Sequence, residues 1–141
     1  METVALSKDN YQLWDDFCAS SDDAWFWHTT SWLDFCALYG RGKFSIENVS
    51  FFLADEEGIL AVCPLLLESR SDARGEKYLE FSTAGGGRFG AAPALRCNLT
   101  SDRRGQTFKL VFEEIDRLAE KKGAARASFR HSPLAPRNWE Y

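Results

Sequence analysis

The chain has 141 residues, of which 45% are hydrophobic and 27% charged, with a net charge of -4. This is enough material for one domain with a sizeable core and too apolar for a disordered chain. No apolar run approaches the roughly 20 residues that a membrane helix needs, and the first residues lack the basic start and apolar core of a signal peptide. We therefore expect a compact cytoplasmic protein without a membrane span.

Charge is distributed unevenly along the chain. Residues 1–69 carry 3 basic and 12 acidic side chains, residues 70–105 carry 7 and 4, and residues 106–141 carry 7 and 5. We expect an ordinary solvated surface for the arginines of the middle segment, with a modest anion-attracting edge as the alternative. The overall acidity and the lack of a basic and aromatic motif argue against nucleic acid as the main partner. The arginines of that edge are Arg70, Arg74, Arg88, Arg96, Arg103 and Arg104.

The four cysteines, Cys18, Cys36, Cys63 and Cys97, are far apart and form no C-x-x-C pair. Two of them lie inside apolar stretches. This pattern predicts buried reduced thiols in preference to a metal site or disulfides.

The N-terminal part predicts a short strand at residues 3–6 and then two helices. Ser7 is placed to cap the first helix, which extends to about Ser20, and the second covers residues 31–39 and stops at Gly40. Aromatic residues are dense before that stop. Packing of helices on a sheet explains this density, and a ligand-binding wall is the alternative.

The centre of the chain predicts a β-hairpin. Apolar runs at residues 51–54 and 59–67 are joined by the acidic turn 55–58, which ends in glycine. The second run is almost continuously apolar, which favours a strand covered on both faces by helices. Pro64 cannot donate to a strand ladder, so we predict a kink or bulge near Cys63.

A strand at residues 78–83 leads into a glycine-rich loop at 84–93. Gly85, Gly87 and Gly90 formally match G-x-G-x-x-G, but Pro93 and a polar stretch follow where a dinucleotide site needs a helix. A loop whose backbone approaches a ligand or a neighbouring domain fits better.

The last third predicts the clearest helix, capped at residues 100–102 and stopped at Gly123, followed by a strand at 124–129.

The whole pattern predicts an α/β fold: a mixed, mostly antiparallel central sheet with helices on both faces. We assign residues 1–133 to a single domain and residues 134–141 to an irregular tail.

Four strings, in order, resemble those of the FemAB-like acyltransferases: FWHTTSWL at 26–33, DEEGILAVCPLL at 55–66, FSTAGGG at 81–87 and ASFRHSP at 127–133. The order strand, helix, helix, hairpin, strand, long helix, strand resembles the first part of the GNAT (acyl-CoA N-acyltransferase) fold. The resemblance covers about residues 14–133. It implies transfer of an acyl or aminoacyl group to an amine, usually on a cell-wall or surface-polysaccharide precursor. The donor would be acyl-CoA or aminoacyl-tRNA, neither of them tightly bound.

The resemblance also indicates where substrate would bind. Arg130 matches a strand-end arginine of the family and lies where open α/β sheets place ligands; the alternative is that it pairs with an acidic residue of the N-terminal half. His28 and His131 are the only histidines. Neither has a neighbour in the sequence that would fix its tautomer, so we expect structural or surface roles for both, and not general-base catalysis. No catalytic residue is identified and no metal is expected. The candidate substrate contacts are Gly86, Gly87, Arg88, Phe89, Arg130 and His131.

Two departures from the family limit this interpretation. Residues 101–107, SDRRGQT, do not match the Q/R-x-x-G-x-G/A turn that holds a donor pyrophosphate, so we expect no donor there. The sequence stops before the remaining elements of one GNAT unit, which predicts the N-terminal portion of a longer two-unit protein or a shortened relative. The alternatives are a non-catalytic assembly module that dimerises through an open sheet edge and a small independent acetyl-CoA acetyltransferase.

Overall fold

The computed structural model describes residues 1–39, 46–83 and 91–130. These ranges contain three α-helices and eight β-strands. The helices are α1 (Tyr11–Ser20), α2 (Thr30–Tyr39) and α3 (Ser101–Lys122). The strands are β1 (Glu2–Ala5), β2 (Ile46–Asn48), β3 (Phe51–Asp55), β4 (Gly58–Cys63), β5 (Leu66–Ser71), β6 (Lys77–Ser82), β7 (Ala94–Leu95) and β8 (Ala124–Ser128).

The N-terminal elements follow the prediction closely. A single 3-10 turn (Lys8–Asn10) separates Ser7 from α1, and α2 begins one residue before the predicted start. The predicted stop at Gly40, the glycine-rich loop at 84–90 and the tail at 134–141 lie outside the described residues. Within the described ranges, no helix is both long enough and apolar enough to cross a bilayer.

The predicted hairpin is confirmed. Strands β3 and β4 pair antiparallel, with Phe51 opposite Cys63 and Asp55 opposite Gly58. Gly58 has φ +109°, a conformation that residues with a Cβ rarely adopt, which explains the glycine at the end of the acidic turn. The register moves by one between Leu53 and Ala54, so the hairpin contains a local irregularity.

The prediction of one central sheet is wrong in its detail, because the strands form two four-stranded sheets. Their orders are β1-β3-β4-β7 and β2-β5-β6-β8, and all pairs are antiparallel except β6 with β8. The apolar run 59–67 contributes β4 to the first sheet and β5 to the second. Proline lacks the amide that a continuous ladder requires, and the run divides at Pro64. The predicted kink near Cys63 is therefore confirmed as a complete strand break.

A serine side chain replaces the ladder at this junction. The Val49 amide donates to the Leu65 carbonyl at 2.9 Å, and the Leu65 amide donates to Ser50 Oγ at 2.9 Å. Ser50 is 2% exposed. Its hydroxyl therefore satisfies a buried backbone donor at the point where both hairpin arms change sheet.

The first sheet lies between two helical layers, as predicted. On one face Leu60 and Leu53 join a buried cluster with Val111 of α3. On the other face Val62 joins a cluster that includes Trp14 of α1 and Leu33 of α2. The continuous apolar character of β4 follows from this burial on both sides.

The long predicted helix is confirmed as α3, and its ends have identifiable causes. Thr100 Oγ1 accepts the Arg103 amide at 3.3 Å at the N-terminus. Gly123 adopts φ +72° and donates to the Ala119 carbonyl at the C-terminus. The helix returns the chain so that β8 lies parallel to β6.

Candidate functional site

The candidate site is the edge where the parallel strands β6 and β8 end side by side. The Thr83 amide donates to the Ser128 carbonyl at 3.4 Å, and the Arg130 amide donates to Thr83 Oγ1 at 3.1 Å. Thr83 is 1% exposed. Ligands of open α/β sheets bind at the carboxyl ends of such strands, so this edge is a suitable place for a substrate.

The described residues test the predicted contacts only in part. Arg130 is exposed at this edge, and within the described ranges its side chain forms no ion pair. Gly86, Gly87, Arg88, Phe89 and His131 lie outside the described residues. In the sequence, however, these residues follow shortly after Thr83 and Arg130, and Thr83 and Arg130 are hydrogen-bonded to each other.

A pair of buried glutamates next to this edge was missed by the sequence analysis. Glu68 of β5 lies directly opposite Glu80 of β6 in the antiparallel register, and the two residues are 0% and 6% exposed. They are twelve positions apart in the chain, so only the strand register reveals their proximity. The available signal was an acidic residue directly after the apolar run that ends at Leu67.

Both carboxylates have arginine partners. Arg126 donates to Glu80 Oε2 from Nε at 3.1 Å and from Nη2 at 3.0 Å, and Ser128 Oγ donates to Glu80 Oε1 at 2.6 Å. Arg70 forms an ion pair with Glu68. Since Arg126 and Ser128 belong to β8, Glu80 ties the two parallel strands together immediately before their ends.

The electrostatic balance keeps Glu80 ionised. Burial raises the pKa of Glu80, but the hydrogen bonds from Ser128 and Arg126 and the charges of Arg126 and Arg70 outweigh it, so the pKa lies below its usual range. A carboxylate held in this way is a poor proton acceptor near neutral pH. Its role in this geometry is to position β8 and, through it, Arg130.

His28 is structural, as expected. Its Nδ1 accepts the Trp25 amide at 2.9 Å, and Nε2 donates to the Ala92 carbonyl at 2.9 Å, which requires the neutral Nε2-protonated ring. Burial lowers the pKa of His28 to about 4. The ring thus fastens the segment after the glycine-rich loop to the connection between α1 and α2.

The alternative of an anion-attracting arginine edge loses four of its six members, because these four have acidic partners. Arg104 forms a buried ion pair with Asp23 at 2.9 Å, and Arg70 pairs with Glu68. Arg96 pairs with Asp55 and Glu57 at 2.7 Å each, and Arg103 lies 3.6 Å from Asp55. Tertiary folding brings the acidic N-terminal half against these arginines, so their charges are neutralised within the domain. Arg88, another of the six, lies outside the described residues.

A cleft of about 650 Å³ lies beside the N-terminus of α3, at the turn between β3 and β4. Arg96 and Arg103 line it together with the carboxylates Asp55, Glu56 and Glu57. Acidic side chains at this density oppose an anionic ligand. The geometry is consistent with the expectation that residues 101–107 hold no donor pyrophosphate.

Three of the four cysteines are buried and are not activated thiolates. Cys18, Cys36 and Cys63 are buried free thiols. Burial raises the pKa of Cys18 to about 12 and that of Cys36 to about 11, and it also raises the pKa of Cys63. In the part of the chain that the structure describes, no three His, Cys, Asp or Glu side chains cluster as a metal site would require.

The fold and site define an α/β protein with one parallel strand pair and a polar cluster beside its carboxyl edge. No protein-family model matches the chain, and no curated protein matches it.

Proposed function

We propose that this chain is a GNAT-like portion of a FemAB-like N-acyltransferase that binds its amine-bearing acceptor at the carboxyl edge of β6 and β8. The acceptor class is a cell-wall or surface-polysaccharide precursor. The donor class is acyl-CoA or aminoacyl-tRNA. A segment other than the N-terminus of α3 supplies the groove that binds the donor.

The observation that carries the proposal is the parallel return of β8 beside β6 after the long helix α3. Before it, β1 pairs with β3, the first hairpin arm, and β5, which follows the second arm after Pro64, pairs with β6. This order of elements agrees with the one that the GNAT resemblance implies. The bond between the Arg130 amide and Thr83 Oγ1 supports a shared site, because it joins the starting points of the two predicted substrate-binding segments.

Acyl transfer to an amine requires removal of a proton and stabilisation of a developing oxyanion. Arg130 presents an exposed guanidinium at the edge, suited to an anionic group of the acceptor because arginine binds carboxylate and phosphate with two hydrogen bonds. The segment with Gly86, Gly87, Arg88 and Phe89 completes the acceptor contacts in this proposal. Glu80 positions Arg130 by holding β8 in place.

The test uses a parent protein that supplies the donor groove, with a panel of amino sugars and aminoacyl precursors as acceptors. Transfer from acetyl-CoA is measured as release of free thiol, and transfer from aminoacyl-tRNA as release of deacylated tRNA. We expect Arg130→Ala and Arg88→Ala to reduce turnover by about tenfold or more, since each removes a charged contact. The matched control is Arg74→Ala, an exposed arginine in the connection between β5 and β6. Unchanged turnover in both test variants would exclude these residues from the site.

A second candidate function is a non-catalytic assembly module. In the described ranges β8 pairs with β6 alone, so its outer edge is available to a further strand, which sheet proteins normally cover. A stable dimer by light scattering, with no turnover and no thermal shift on addition of acetyl-CoA, would favour this function. Turnover of acetyl-CoA by the isolated 141-residue chain would instead favour a small independent acetyltransferase.

A further inference from the structure

We draw no further inference here: the strongest candidate, the exposed aromatic face at Phe26, Phe35 and Tyr39 along α2 and the turn before it, is an apolar surface, and nothing in the described residues shows what covers it.

Discussion

The two sheets differ in where they place charge. The first sheet is closed on both faces by apolar clusters with α1, α2 and α3, and the ion pair beside it, Asp23 with Arg104, is almost inaccessible to solvent. The second sheet contains the buried glutamates Glu68 and Glu80, whose arginine partners reach the surface. The first sheet with its three helices therefore forms an apolar frame, whereas the second sheet carries paired charges that extend from its interior to the surface.

The largest expected effect comes from breaking the buried pair of the frame. Arg104→Ala leaves the Asp23 carboxylate without its ion-pair partner in a site where both side chains are at most 5% exposed. We expect a loss of about 3–5 kcal/mol in the free energy of unfolding, measured by urea denaturation. Arg103→Ala is the control, because its pair with Asp55 is more exposed and 3.6 Å long, and it should cost under about 1 kcal/mol. Equal losses of unfolding free energy in both variants would contradict the distinction between the buried ion pair and the exposed one.

The second prediction concerns acid sensitivity of the frame. The folded pKa of His28, about 4, lies below the unfolded value of 6.5, so the unfolded state binds more protons between these pH values. Stability from His28 is present above pH 6.5 and is lost as pH falls toward 4. The free energy of unfolding should decrease by about 2 kcal/mol between pH 7.5 and pH 5 from this residue.

The two histidine variants separate this effect from the titration of other groups. His28→Gln should remove the pH dependence between pH 7.5 and pH 5, while His131→Gln should retain it, as measured by denaturation at each pH. A slope that persists in His28→Gln would assign the acid sensitivity to other residues.

The third prediction addresses the junction between the sheets. Ser50→Ala removes the acceptor of the buried Leu65 amide, which should cost about 1–3 kcal/mol. Hydrogen exchange of the Leu65 amide should accelerate together with this loss. Ser71→Ala, at the exposed end of β5, is the control and should leave stability within about 0.5 kcal/mol.

The smallest effect on stability is expected in the second sheet. Arg126→Gln weakens the charged hydrogen bonds to Glu80, so the pKa of Glu80 should rise, since Arg126 is among the causes that depress it. Stability from a depressed carboxyl pKa is lost as pH falls through the folded value, so the variant should show less of this loss at acidic pH. Carboxyl NMR titration measures the shift, with Lys109→Gln as a surface control. A Glu80 titration identical to the original chain would contradict the assigned pairing.

Much of the fold was predictable because its signals are local. The hairpin turn that ends at Gly58, the stop at Gly123 and the break at Pro64 each follow from the conformational limits of single residues. The ends of β6 and β8 were predictable for the same reason, but their parallel pairing side by side was not, because it joins residues far apart in the chain. The division into two sheets was not, because it depends on the Ser50 hydroxyl meeting the Leu65 amide fifteen positions away.

The sequence by itself determined the three helices and the β3–β4 hairpin, because hydrophobic periodicity, caps and turns act over a few neighbouring residues. It did not predict the short strands β2 and β7 or the separation of β4 from β5. Only the tertiary structure decided which charges meet. Asp23 and Arg104 are 81 residues apart, and Glu80 and Ser128 are 48 apart. Such partners are chosen by strand register and helix packing, which also placed acidic partners beside Arg70, Arg96 and Arg103. No local pattern carries that information, since register depends on contacts summed over the whole fold.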